Sequence, residues 1–311
     1  MKIGFLTEMG FSGKIPRNHR NMRVEFAWMC ALDAEHISLT DIVNKEETYD
    51  VIVAILPKKN LNIWIELSIL DIARKKCKRF SIMQEGPHWY FQDYDVYTQF
   101  WYYNQLCQTD ILFVHNDRDM IYYKGILNHK NVHVLPSLLI EDSIKNIPIE
   151  NRESVMIGGN FVSWYGGFDS YIVSLELKTK MICPSMGRKQ QQESLISDIN
   201  YLPYLDWVGW MESLNTCKYG VHLMRTHAAG TFALNCAYFG IPCIGYSGLD
   251  TQSTCFPDIT CDVADVVTAK KFANQLLDDE FYKHVSEKSR ELYKTHFSEE
   301  IFLKKVSKLL I

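Results

Sequence analysis

Residues 220–245 of the chain read GVHLMRTHAAGTFALNCAYFGIPCIG, and this stretch decides the fold. Its pattern predicts a strand over Gly220–Leu223, a helix over residues 230–239 and a second strand over Ile241–Ile244. A strand, a short turn, a helix and another strand in this order are typical of an α/β protein with a parallel sheet.

The turn before the predicted helix contains residue types that suit an anion. Small residues at Gly230 and Thr231 let the backbone approach a ligand, and the first N–H groups of the helix and its dipole favour a diphosphate. Arg225 would add a forked, permanently charged contact, and Asn235 lies one turn further along, where its side chain can reach ribose hydroxyls. An ordinary strand–turn–helix with a core asparagine would give the same pattern, so both interpretations stay open.

The same alternation of short apolar strands and helical segments extends outward over the whole chain. Further strands are predicted at Lys2–Leu6, His36–Leu39, Val51–Leu56, Phe80–Met83, Ile111–Val114, Val132–Leu135, Val155–Ile157 and Lys180–Ile182. Helices are predicted at about Asn21–Leu32, Ile63–Lys76 and Ser298–Leu310. We therefore predict an α/β fold of two Rossmann-like, doubly wound parallel-sheet lobes that face a ligand-binding cleft.

A polar stretch with one proline and four acidic residues, Glu141–Glu153, is predicted to link the two lobes. The predicted domains are residues 1–145 and residues 154–297. The final segment, 298–311, is amphipathic, and we expect it to pack back against the first lobe.

Composition excludes several classes of protein. The chain has 311 residues, is 47% hydrophobic and has a formal net charge of −4, which excludes a disordered tail and a strongly basic nucleic-acid coat. Its nine cysteines form no C-x-x-C pair, and we interpret them as reduced thiols of a cytoplasmic protein. We expect no signal peptide, because Met1–Leu6 leads directly into a strand pattern and then a polar turn. We expect no membrane span, because the apolar run Ala228–Tyr246 is interrupted by Asn235, Gly240 and Pro242.

A second glycine loop, Gly158-Gly159-Asn160-Phe161, follows the first strand of the second predicted lobe. Glycines at such a turn let a diphosphate or a hexose come close to the backbone. Arg188, within Gly187-Arg188-Lys189, would form a third wall of the same site, for which a solvated basic turn is the alternative.

The frame Asn235-Cys236-Ala237-Tyr238-Phe239-Gly240-Ile241-Pro242 resembles the GT-B glycosyltransferases, whose second lobe carries an acidic residue five positions before Gly-x-Pro. His227 and Asn235 stand where that family has acidic residues, and imidazole and amide groups can still hydrogen-bond sugar hydroxyls. The resemblance implies a nucleoside diphosphate sugar as co-substrate, no tightly bound cofactor, a donor lobe at 154–297 and an acceptor lobe at 1–145. The donor-binding residues that it implies are Gly158, Gly159, Asn160, Phe161, Arg188, Arg225, His227, Gly230, Thr231 and Asn235.

Within this fold the chain is similar in two places to the T-even phage DNA β-glucosyltransferases. The loop at 158–161 resembles their Gly-Gly-Ser-Phe loop, and residues 81–89, SIMQEGPHW, resemble an acid, proline and aromatic segment of their first lobe. The resemblance implies that Glu85 is the general base for an acceptor hydroxyl, with inversion at the sugar carbon, although a turn cap is the alternative. His88 competes for the role because imidazole titrates near neutral pH.

Two groups of residues in the first lobe are candidates for acceptor binding. Four basic residues after the first strand suit phosphate contacts or form a solvated loop: Lys14, Arg17, Arg20 and Arg23. Nine of the fifteen residues from Trp89 to Tyr103 are aromatic, and such rings stack on a flipped base, on sugars or on another subunit. We predict that Trp89 and Tyr90 contact the acceptor.

Three functions stay open. The first is transfer of a sugar to a hydroxymethylated pyrimidine in double-stranded DNA, in a host cytoplasm if the chain is phage-encoded. The second is transfer to a lipopolysaccharide, a capsule or another glycan, and the third is nucleotide-sugar binding without catalysis. We assign no metal ligands, since Asp93-Tyr94-Asp95 and Asp117-Arg118-Asp119 are short patterns that recur by chance, and no divalent cation is indicated.

Overall fold

The structure is a computed structural model, and it describes residues 1–128, 131–148, 151–184 and 191–310. The chain divides into two compact units. Unit 1 comprises Met1–Arg17, Glu25–Pro136 and the segment from Leu303 onward, and unit 2 comprises Asn18–Val24 and Ser137–Phe302. The predicted boundaries at residues 145, 154 and 298 stay a prediction.

The described part of unit 1 holds a seven-stranded sheet in the order β2-β3-β1-β4-β5-β6-β7. Its strands are β1 (Ile3–Thr7), β2 (Gly13–Lys14), β3 (Glu35–Ser38), β4 (Tyr49–Leu56), β5 (Cys77–Gln84), β6 (Ile111–Val114) and β7 (Val132–Val134). Its helices are α1 (Val24–Ala31), α2 (Leu39–Asn44), α3 (Asn62–Glu66), α4 (Ile69–Lys75), α5 (Trp89–Gln92), α6 (Val96–Cys107) and α7 (Asp117–Leu127). All strand pairs are parallel except β2 with β3, and β4 is buried along nearly its whole length, as parallel strands between helical layers are.

The described part of unit 2 holds a six-stranded parallel sheet in the order β10-β9-β8-β11-β12-β13. Its strands are β8 (Ser154–Ile157), β9 (Lys180–Cys183), β10 (Ile199–Tyr201), β11 (Cys217–His222), β12 (Cys243–Tyr246) and β13 (Thr260–Cys261). Its helices are α8 (Gly167–Ser174), α9 (Trp207–Asn215), α10 (Thr231–Phe239), α11 (Asp250–Cys255), α12 (Val266–Gln275) and α13 (Asp279–Phe297). The last helix, α14 (Glu299–Leu310), begins in unit 2 and belongs to unit 1 from Leu303 onward. This order corresponds to 3-2-1-4-5-6 of the dinucleotide-binding sheet, and it reverses between β8 and β11.

The predicted α/β class with two parallel-sheet lobes is confirmed. The prediction of one helix over Ile63–Lys76 is wrong, because Ser68 is left-handed with φ 49° and separates α3 from α4. The buried side chains give the physical reason. A continuous helix that buried Trp64 would turn Leu67 and Ser68 to the same face, whereas the break brings Ile69 and Leu70 inward instead.

The first helix also begins later than predicted, at Val24 and not near Asn21. The backbone before it belongs to unit 2, where the N–H of Val208 donates to the carbonyl of Arg20 at 3.0 Å. In the described ranges, no helix combines the length and apolar character that crossing a bilayer requires.

Candidate functional site

The carboxyl edge of β8 and β11 in unit 2 is the first candidate site. Chain connections leave these two strands in opposite directions, and ligands of open α/β sheets bind at such a reversal. The loop that begins at Gly158 follows β8, and His222 ends β11. The turn and helix from Arg225 to Asn235 follow β11.

The two glycines of the loop after β8 are required by packing inside unit 2. A Cβ atom at Gly158 would lie 2.7 Å from Cγ of His222, and one at Gly159 would lie 2.9 Å from Cβ of Tyr165. These contacts explain the glycines without a ligand. That Gly158 and Gly159 contact a donor stays a prediction.

Two buried amides near this edge have unsatisfied polar atoms. Asn160 is 1% exposed, and neither its Oδ1 nor its Nδ2 has a hydrogen-bond partner among the described residues. Asn235 is 5% exposed, and its Oδ1 likewise has none there. Since buried polar groups are nearly always hydrogen-bonded, these atoms are candidates for ligand contacts.

The start of α10 has the geometry of an anion site. Gly230 precedes the helix with φ +69°, and a Cβ atom there would lie 2.0 Å from Oγ1 of Thr251, so only glycine fits. Thr231, the first helical residue, is exposed to solvent. The first N–H groups of α10 therefore start at an accessible position.

Arg225 is already held by a carboxylate. Its Nε and Nη2 donate to the two oxygens of Asp169 at 3.0 and 2.8 Å, and the hydroxyl of Tyr246 donates to the same carboxylate at 3.1 Å. Asp169 is buried, while the side chain of Arg225 is half exposed. The guanidinium group that was predicted to bind a diphosphate thus already binds Asp169. The sequence pattern did not single out this aspartate.

Two other predicted donor residues also have partners inside unit 2. Nδ1 of His227 lies 2.9 Å from the carbonyl oxygen of Gly248, so Nδ1 carries the proton and Nε2 is left as an acceptor. The backbone N–H of Phe161 donates to Oε1 of Glu193 at 3.2 Å. Arg188 lies outside the described residues.

The second candidate site is a histidine–aspartate pair in unit 1. Nδ1 of His88 lies 2.7 Å from Oδ1 of Asp119, and the backbone N–H of His88 donates to the same oxygen at 3.0 Å. Asp119 is fully buried, and its Oδ2 accepts from Nδ2 of Asn116 at 2.8 Å. Asn116 in turn caps α7 by accepting from the N–H of Asp119 at 2.9 Å.

This arrangement fixes the imidazole of His88. The carboxylate holds the proton on Nδ1, and the ring stacks on Tyr122 with 4.1 Å between the ring centroids. The side chain is one quarter exposed, and Nε2 is the nitrogen left to act as a base. Sequence reasoning weighed Asp119 only as part of the Asp117-Arg118-Asp119 pattern and missed it as the partner of His88. The signal available for that role was an asparagine three positions earlier, at the start of a helix.

Glu85, the other predicted base, forms an ion pair. Its Oε1 lies 3.4 Å from Nζ of Lys58, and that ammonium lies 5.3 Å from the centroid of the Tyr90 ring. Gly86 makes room for this group, because a Cβ atom there would lie 2.7 Å from the Tyr90 ring and 2.9 Å from Cε of Lys58. The carboxylate of Glu85 is therefore already paired with a cation inside unit 1.

The predicted basic cluster is divided between the units. Lys14 belongs to unit 1 and forms an ion pair with Asp33. Arg20 belongs to unit 2, where its Nε and Nη2 donate to the oxygens of Asp206 at 2.7 and 3.2 Å. Arg17 and Arg23 are exposed residues of unit 1 and unit 2 respectively.

The aromatic segment is partly used in packing. Trp89 and Tyr90 are half-buried and lie against each other, with 4.3 Å between ring centroids. Further along, Tyr97 and Phe100 are 70% and 65% exposed on α6. Among the described residues, no group of three or more His, Cys, Asp or Glu side chains is arranged to hold a metal ion.

The structure matches solved glycosyltransferases over 84% to 100% of its length. HepE from Anabaena, in complex with UDP and glucose, is 11% identical, and the match covers 100% of this chain and 99% of that chain with a TM-score of 0.70. The chain has the GT-B fold. Two further proteins with this fold are similar to it. Sucrose-phosphate synthase from Thermosynechococcus elongatus is 12% identical, with 84% and 73% of the two chains covered and a TM-score of 0.61. The trehalose-6-phosphate synthase OtsA is 11% identical, and the match covers 87% of this chain and 74% of that chain with a TM-score of 0.65.

No protein-family model and no curated protein matches the sequence. The GT-B fold is therefore established by structure alone. The similarity to phage DNA β-glucosyltransferases stays a prediction.

Proposed function

We propose that the chain is a glycosyltransferase that uses a nucleoside diphosphate sugar. The observation that carries this proposal is the carboxyl edge of unit 2, where the start of α10 and the buried, unsatisfied amides of Asn160 and Asn235 follow β8 and β11. A helix start suits a diphosphate, and amides suit sugar or ribose hydroxyls. UDP-sugars are the first donors to test, because HepE was solved with UDP and with UDP-glucose.

The donor's diphosphate would bind at Gly230 and Thr231. Arg225 would contribute the donor capacity that Asp169 does not use, and its exposed half favours such a contact. The Nε2 of His227 and the Oδ1 of Asn235 would accept from hydroxyl groups of the donor.

His88 is the proposed general base. Its Nε2 would take the proton of the acceptor hydroxyl while the new C–O bond forms at the sugar carbon and the bond to the diphosphate breaks. The charge that develops on the imidazole would be stabilised by the buried carboxylate of Asp119. Glu85 is the weaker candidate because Lys58 already pairs with it.

The acceptor favoured by the charges is a glycan hydroxyl. Lys14 and Arg20, two of the four residues expected to contact DNA phosphates, are neutralised by Asp33 and Asp206. A DNA acceptor with a hydroxymethylated pyrimidine is the second candidate, and the exposed rings of Tyr97 and Phe100 favour it.

The test is a transfer assay with purified protein and radiolabelled UDP-glucose, UDP-N-acetylglucosamine and GDP-mannose. One arm contains oligosaccharide acceptors, a second contains hydroxymethylcytosine DNA, and a third contains no acceptor and measures nucleotide release. Transfer to oligosaccharides alone supports the glycan acceptor, and transfer to DNA alone supports the second candidate. Binding of a donor without transfer or release, unchanged in His88→Gln, would indicate a non-catalytic binding protein and contradict the proposal.

A further inference from the structure

His222, the last residue of β11, is a buried imidazole without an assigned role. It is 5% exposed, and neither Nδ1 nor Nε2 has a hydrogen-bond partner among the described residues. The ring packs between Tyr165, with 6.5 Å between centroids, and Phe232, at 5.2 Å. The ring of His222 is therefore packed against two aromatic rings and Gly158, and its nearby packing is apolar.

A second unsatisfied side chain lies at the same reversal of the sheet. Asn160 is two residues beyond Gly158, whose missing Cβ leaves the space that the His222 ring fills. Both polar atoms of Asn160 are buried without a partner among the described residues. A pair of such groups at the carboxyl ends of adjacent strands is rare in a folded protein unless a ligand or water satisfies it.

The charge state of His222 and Asn160 indicates which kind of ligand group they can bind. Burial lowers the pKa of His222 to about 4, so the imidazole is neutral at physiological pH. A neutral imidazole and an amide each offer one acceptor side and one donor side. A phosphate accepts hydrogen bonds only and would use just the donor side of each group, whereas a hydroxyl group both donates and accepts and can use either side.

We infer that His222 and Asn160 form a hydroxyl-recognition pair that binds the neighbouring hydroxyl groups of the donor. This inference rests on the proposed function and adds to it the residues that select a polyhydroxylated ligand. The hydroxyls belong either to the ribose or to the transferred sugar, and the two sources are separated by the ligands used below.

The test compares the affinity of His222→Phe and Asn160→Leu with that of the wild-type protein by isothermal titration calorimetry. Both substitutions keep approximate shape and remove the polar atoms. We expect UDP-glucose to bind about 5- to 30-fold more weakly to each variant, the loss of one or two neutral hydrogen bonds. If UDP is weakened equally, the pair binds the ribose; if UDP is unaffected, the pair binds the transferred sugar.

Thermal unfolding of the ligand-free proteins separates this role from a structural one. No bond inside unit 2 is lost, so neither variant should melt below the wild-type protein, and each should show a smaller ligand-induced rise in Tm. The matched control is His115→Phe, which alters a buried imidazole of unit 1 and should leave both affinities unchanged.

Two results would count against the inference in different ways. Variants that bind both ligands within twofold of wild type would overturn it and leave the proposed function intact. A wild-type protein that binds neither UDP nor UDP-glucose would overturn the proposed donor as well. Asn160→Leu keeps the test decisive if His222→Phe does not fold.

Discussion

Asp119→Asn is the substitution that tests the histidine–aspartate pair most directly. Oδ1 of Asp119 accepts two bonds from His88, at 2.7 and 3.0 Å, and Oδ2 accepts one from Asn116 at 2.8 Å. An asparagine at this position has one oxygen and one NH₂ group. We expect the oxygen to face His88, because the opposite orientation would set the NH₂ group against two N–H donors.

The magnitude follows from these contacts. The NH₂ group of the introduced asparagine then faces the NH₂ group of Asn116. Two buried donors that face each other without an acceptor should lower the free energy of unfolding by about 1–3 kcal/mol. Catalysis should suffer more, because a neutral carbonyl replaces the carboxylate that stabilises the imidazolium of His88. We expect kcat to fall by about 10²- to 10⁴-fold, the range of a general base that has lost its partner.

The assay is the initial rate of transfer from the nucleotide sugar, with kcat and the KM for the donor determined separately. Because the pair lies in unit 1, the KM for the donor should change by less than about threefold. A loss of folded protein would also lower the apparent kcat without changing KM, so the rates are expressed per folded protein, with the folded fraction of each variant measured by circular dichroism. The matched control is Asn116→Ser, which keeps a capping side chain for α7 and both bonds to His88, and its kcat should stay within about tenfold of wild type. A kcat of Asp119→Asn close to wild type, or an equal loss in the control, would refute the role assigned to His88.

Three further predictions follow from other contacts. His88→Gln should lower kcat by about 100-fold or more, whereas the kcat of Glu85→Gln should stay within about tenfold of wild type, because only loss of the general base removes the group that takes the proton. A larger loss of kcat in Glu85→Gln than in His88→Gln would identify Glu85 as the general base. The folded-state pKa of His222 is about 4 against an ordinary 6.5, so the unfolded chain binds more protons between these values and stability rises with pH across that window. Denaturant titrations should therefore show that going from pH 7 to pH 5 costs His222→Phe about 2 kcal/mol less than wild type, and equal losses would contradict a neutral, buried imidazole. Gly230→Ala should lower the free energy of unfolding by about 1–3 kcal/mol in the same titration, because φ is +69° and the new Cβ atom would overlap Oγ1 of Thr251; an unchanged midpoint would mean that α10 begins differently.

The strands of both units were predictable because their signal is local. Continuous apolar runs such as Val51–Leu56 are typical of strands covered on both faces, and β4 contains that run. The left-handed residue that divides α3 from α4 was not predictable from helical periodicity. It depends on which side chains reach the core of unit 1, and Ser68 carries no turn signal of its own.

The partners of the candidate site residues were not predictable for a related reason. Asp119 lies 31 positions from His88, and Asp206 lies 186 positions from Arg20. The local sequence of a basic loop does not show which distant residue supplies a carboxylate to it. Local patterns therefore name candidate site residues and leave out the groups that orient or neutralise them.

The hydrogen bonds inside each unit change how much each candidate side chain can contribute to ligand binding. Arg225 and Glu85 were the clearest charged candidates in the sequence, yet each already binds a group of opposite charge. Each polar atom that is already bonded within the fold must give up that interaction to bind a ligand, so only the donor capacity of Arg225 that Asp169 does not use is available to a diphosphate. Asn160 and His222 are in the opposite position, because burial has removed their water and the described residues supply no replacement. Binding of a polar ligand there restores hydrogen bonds without breaking others, which is why we expect those two side chains to contribute to the affinity for the donor although neither carries a charge.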